Sequence, residues 1–131
     1  MTSIQEHERK VKELQEDINE KINRSILLER QEVIGFSASE LSSNLFAIFL
    51  HKKNLINLGF NMNHRFFASV KRANSVFDFE FKNKNKIIEL MIKQEEFRNK
   101  LCYGKAENIE IVKKALENLN ELKQEIENAN H

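Results

Sequence analysis

The sequence predicts an all-α fold: a helical bundle of four main helices plus a short helix, with a long N-terminal helix. Three observations carry that expectation. In 131 residues there is no proline and there are only three glycines, so little in the chain forces a helix to stop. Apolar residues recur at helical spacing over most of the length. The one segment of period two has no evident partner strand. No internal repeat or long linker divides the chain, so residues 1–131 read as a single helical domain, with an N-terminal helix over about 1–34 and a core over about 37–128.

Each glycine, at 35, 59 and 104, stands where a helical pattern stops, as residues just past a helix C-terminus do. The first piece, about residues 3–34, repeats Val11, Leu14, Ile18, Ile22 and Ile26 as a narrow apolar stripe among charged residues and is expected to be one long amphipathic helix. The second opens on "SASE", in which Ser37 and Glu40 have the spacing of a capping box, and runs to about Leu58. Leu41, Leu45, Ile48, Leu50, Leu55 and Ile56 line much of its circumference, which predicts the central, most buried helix. In the third piece, "NHRFFASVKRAN" predicts a short helix capped by Asn63. "SVFDFEF" predicts an extended connection anchored by Phe77, Phe79 and Phe81, and "KNKNK" at 82–86 a solvated loop before a helix ending near Tyr103. The fourth piece, about Glu107 to Asn128, carries Ile109, Val112, Leu116, Leu119, Leu122 and Ile126 as a regular amphipathic helix.

A formal net charge of +1 gives no global excess that points to a partner. One cysteine, Cys102, excludes an internal disulfide framework and a paired-cysteine zinc site, and it fits a reduced setting. The N-terminal "MTSIQEHERKVKELQED" has no signal-peptide apolar core. No run approaches the ~18 apolar residues a membrane helix needs. A cytoplasmic protein with no membrane partner is expected. Histidine and carboxylate spacings of metal sites, glycine-rich phosphate loops and a Ser-His-Asp arrangement are not identified, so no metal and no cofactor is expected. Cys102 falls on an apolar arc and reads as a small core residue.

The segment that carries chemistry is "FRNKLCYGK", Phe97 to Lys105. Placed at about 100° per residue, Ile87, Ile88, Leu90, Met91, Ile92, Phe97, Leu101 and Cys102 share one broad arc, opposite Lys86, Glu89, Lys93, Glu96 and Lys100. Arg98 lies near the middle of the apolar arc, with Gln94 and Glu95 inside it and Asn99 at its edge. An unpaired buried guanidinium is costly, so Arg98 is expected either to pair with Glu95 or another carboxylate, or to face a cleft or second subunit. At an interface, its planar and permanently charged fork suits a phosphate group.

Arg-Asn near the end of a late helix, followed by "KLCYG" and a final amphipathic helix, resembles the HEPN domain family. The matching residues are Arg98, Asn99, Leu101 and Gly104, and in helix order the resemblance covers roughly residues 37–128. It implies an all-helical, usually dimeric fold. In active members of the family, arginine and histidine meet across the dimer and cleave RNA without a metal, the arginine holding the phosphate and the histidine serving proton transfer. Here Tyr103 stands at the histidine position. A phenol is a poor proton acceptor at neutral pH but can stack on a base or donate to a phosphate oxygen. Lys105 stands where some members carry a tyrosine. The resemblance therefore implies an RNA site built on Arg98, Asn99 and Tyr103, with catalysis by a metal-independent endoribonuclease left open.

Six basic residues between 61 and 86 face only Asp78 and Glu80. With Arg98 and Lys105, the expected RNA contacts are His64, Arg65, Lys71 and Arg72. His64 is also a possible substitute base. The interleaved Phe60, Phe66, Phe67, Phe77, Phe79 and Phe81 fit a core better than stacking platforms. The expected function is RNA binding by a homodimer, as a degenerate ribonuclease or a component of a toxin–antitoxin or defence system. The alternative is a non-enzymatic interaction protein that assembles through its N- and C-terminal helices, with Arg98 in an internal ion pair.

Overall fold

The structure, a computed structural model, describes residues 3–131. The chain forms α1 (Ile4–Asn23), α2 (Gln31–Lys52), a 3-10 turn (His64–Phe67), α3 (Val70–Val76), α4 (Lys84–Tyr103) and α5 (Ile109–Ala129). No strand occurs among the described residues. α2 is the centre of the bundle and packs against α1, α4 and α5, while the 3-10 turn and α3 cover α4 on one side.

The predicted long N-terminal helix is two helices. α1 ends at Asn23, Ser25 adopts a left-handed φ of 56°, and the chain reverses into α2. The reversal lets the stripe Val11, Leu14 and Ile18 pack on Ala38, Leu41 and Leu119. One unbroken helix would leave that stripe in water. Gly35 is therefore inside α2 and caps nothing. Ser37 is buried in the helix rather than part of a capping box, and the true N-cap, Arg30, makes no side-chain cap bond. Gln31 takes over the anchoring. Its amide donates to the Glu107 carbonyl at 3.2 Å and accepts from the Glu107 N–H at 2.7 Å, tying the start of α2 to the start of α5.

α2 also stops earlier than predicted, at Lys52. Leu55 and Ile56 lie in the irregular segment that follows, packed against the aromatic core, and Gly59 sits within that segment. Over its full 22 residues α2 is long and apolar enough to cross a membrane, with mean hydropathy 1.4 in its best window; 72% of that window is buried inside the bundle. A break at Gly35 hides this length in the sequence.

Asn63 caps as expected, but only the 3-10 turn, its side chain accepting from the Arg65 N–H at 2.9 Å. α3 starts separately behind Ser69, which accepts from the Arg72 N–H. The segment from Phe77 to Phe81 is non-helical, and Phe77 is fully buried against Phe46, Phe60, Phe66, Phe67 and Phe79. The phenylalanines of this region thus form the main core. The loop before α4 is shorter than predicted: Asn83 turns through a φ of 62° and Lys84 is already helical.

Gly35 fixes the distance between α2 and α4. A Cβ there would lie 2.7 Å from the Cβ of Leu101, an atom too close to its own backbone to move aside. Gly35→Ala raises helix propensity by about 1 kcal/mol, yet overpacking of this kind costs about 1–3 kcal/mol. A net loss of stability is expected in urea denaturation, with Gly59→Ala close to neutral because its nearest atom is 3.4 Å away. A stabilised Gly35→Ala protein would mean the helices are not in contact here.

Candidate functional site

The polar residues that periodicity puts on the inner arc of α4 are indeed buried, Asn99 excepted. Their partners decide what each does. Gln94 donates to the Ala115 carbonyl at 3.2 Å and accepts from Asn118 at 2.8 Å, and Asn118 also donates to the Leu90 carbonyl. This satisfied network joins α4 to α5 and reads as structural. Both oxygens of Glu95 lie against Nδ1 of His64, at 2.9 and 3.0 Å, joining α4 to the 3-10 turn.

Glu95 is paired with His64, and of the arrangements open to Arg98 the pair with Glu95 does not form. Arg98 is only 8% exposed, and among the described residues no carboxylate lies within ion-pair distance of it. Its Nε is sealed from solvent without a hydrogen-bond partner. What surrounds the guanidinium is aromatic: Cζ lies 5.5 Å from the ring centre of Tyr103 and 5.9 Å from that of Phe36, both within cation–π range. Both rings face outward, Tyr103 being 73% and Phe36 47% exposed. A permanent charge thus sits within reach of two aromatic rings that are open to solvent.

Local structure explains each member. Tyr103 ends α4, and Gly104 follows as its C-cap, where a Cβ would lie 2.7 Å from the Lys100 carbonyl oxygen. Phe36 follows Gly35, so the contact that sets the α2–α4 spacing also carries this ring to Arg98. Cys102 adjoins the site and donates to the Glu32 carbonyl at 3.3 Å. Burial pushes its thiol above the ordinary range, and the Arg98 charge offsets only part of that, so it stays protonated and is a poor nucleophile.

Of the residues the sequence singles out, Arg98 and Tyr103 come together, and His64 stands one helical turn away through Glu95. Asn99 and Lys105 are exposed, as are Arg65 on the 3-10 turn and Lys71 and Arg72 on α3. No hydrogen bond, ion pair or ring contact links these to Arg98. His51, a buried histidine near the end of α2, has no hydrogen bond or ring contact with the members of this site. It packs against His7 with ring centres 5.7 Å apart, and burial, then the charge of His7, push its pKa down. Phe36 is the member sequence analysis missed. Its signal was available, since it lies one residue past a glycine inside an apolar run, but only a helix continuous through Gly35 makes that meaningful. Among the described residues, no three His, Cys, Asp or Glu side chains converge as metal ligands would.

No protein-family model, curated protein or solved structure matches this chain.

An unpaired buried charge is a stability cost, which fixes the expected sign of a substitution. Arg98→Met keeps the length and apolar stem while removing the charge, and it should raise the urea-unfolding free energy by about 1 kcal/mol or more. A loss of about 3 kcal/mol, the size seen when a buried pair is broken, would instead mean that Arg98 has an ion partner in solution.

Proposed function

We propose that the protein binds single-stranded RNA through the Arg98 site, with the guanidinium on a phosphate and Tyr103 and Phe36 as stacking surfaces for the adjoining bases. The observation that carries this is a buried arginine without an ion partner among the described residues, within cation–π reach of two exposed rings. Phosphate supplies the missing countercharge in a geometry a guanidinium fork matches, and bases stack on aromatic rings whatever their identity. The HEPN resemblance points to the same chemistry. Tyr103 then serves as a platform at the position where active members of that family hold their histidine. Binding rather than cleavage is the function proposed, in a homodimer as the resemblance implies.

One observation favours the protein-interaction alternative. Leu28 and Val33 are exposed and share a groove with Cys102 and Gly104, the residues on either side of Tyr103, which makes this end of the bundle partly apolar. The apolar stripes of α1 and α5 face the interior of their own chain, so a partner protein would be met here rather than through those helices.

Fluorescence anisotropy with a labelled single-stranded RNA, beside a duplex of the same length, tests the proposal. The wild type should prefer the single strand and weaken with salt. Arg98→Ala should weaken binding and lower the slope of log K against log salt by about one. Tyr103→Ala should cost about 1–3 kcal/mol of binding, and Tyr103→Phe much less. Binding that is salt-insensitive, or unchanged in Arg98→Ala, would refute the RNA proposal.

A further inference from the structure

A second site lies on another side of the bundle, between α1, α2 and α5. The backbones of α1 and α5 nowhere bring Cα atoms within 8 Å of each other. Their separation leaves a cleft of about 450 Å³ over α2, within the size range of small-molecule sites. Its apolar lining is Val11, Leu45, Ile48, Phe49 and Ile126.

Three lysines, Lys12, Lys52 and Lys123, line the same cleft, together with exposed Glu8 and Glu127. None of the three lysines makes an ion pair among the described residues, although two carboxylates share the lining. Lys52 is in the last turn of α2, where a cation complements the negative helix end. Lys12 and Lys123 have no such role, since both lie well inside their helices. Lys123 is the telling member. It is half-buried, its ammonium rests on the neutral side-chain oxygen of Gln15, and burial lowers its pKa without an opposing charge. A partly desolvated cation beside an apolar cleft suits an anion that carries its own apolar surface.

We propose that this cleft binds a medium-chain fatty carboxylate, with the chain along Val11, Leu45, Ile48 and Ile126 and the head group on Lys123. Lys12 and Lys52 add attraction at the entrance. The site is independent of Arg98 and of RNA.

The test uses the full chain, with sodium decanoate and the neutral decanol as probes, followed by amide chemical shifts during titration. Decanoate should give saturable shifts centred on residues of the cleft, with at least tenfold tighter binding than decanol. Lys123→Met should weaken decanoate at least fivefold and leave decanol unchanged. Ile48→Trp, which fills the cleft from a half-buried position, should abolish both. Circular dichroism of each variant establishes that it is folded. Arg98→Met should bind decanoate like the wild type. Equal affinity for decanoate and decanol, non-saturable shifts, or binding that survives Ile48→Trp in a folded protein would overturn the proposal.

Discussion

Where α2 passes α4, Gly35 brings the helices so close that a single methyl group has no room beside Leu101, and the candidate site is built around that contact. It carries the adjacent Phe36 over the guanidinium of Arg98. It also holds α2 in the middle of the bundle, where α1, α4 and α5 all pack against it. The cost of glycine inside a helix, about 1 kcal/mol relative to alanine, is offset by packing that no larger residue permits.

The inner arc of α4 shows how one helix separates structure from function. Gln94 and Glu95 are buried with partners from α5 and the 3-10 turn, and each helps to position α4. Arg98, one turn further on, has the greatest need of a partner and lacks one among the described residues. Burial of polar groups is ordinarily matched by hydrogen bonding. Two buried side-chain nitrogens among the described residues depart from this, His51 Nε2 and Arg98 Nε. Arg98 alone of the two carries a permanent charge and lies beside two exposed rings, and places where local consistency has been given up concentrate at functional sites. Glu95, one turn before Arg98, is paired with His64 instead.

Much of this was legible in the sequence where the information is local. Helical periodicity alone placed Arg98, Gln94 and Glu95 on the buried arc and predicted α5 almost to its ends, while the core role of the phenylalanines followed from their apolar character. The failures share a cause. Gly35 and the Ser37–Glu40 pair have the local chemistry of a helix stop and a helix start, but tertiary packing overrode both, because glycine was needed for close approach rather than for a turn. With the helix divided at that point, Phe36 became a junction residue and its meeting with Arg98 was invisible. The choice among the alternatives open to Arg98, of which a pair with Glu95 was one, was not legible for a different reason. Glu95 is paired with His64, 31 positions earlier in the chain, and no spacing rule along α4 can reveal a partner supplied from elsewhere.

The central claim is that the Arg98 guanidinium lies unpaired against the rings of Tyr103 and Phe36, and the most direct measurement is the side-chain Nε–Hε resonance of Arg98 by NMR. Two adjoining ring faces and a sealed Nε should give an upfield-shifted Hε that exchanges slowly with water. The shift should move toward the ordinary arginine position in Tyr103→Leu and again in Phe36→Leu. An Hε at the ordinary position with rapid exchange in the wild type would contradict the account, because the guanidinium would then be in solvent and the site as described would not exist.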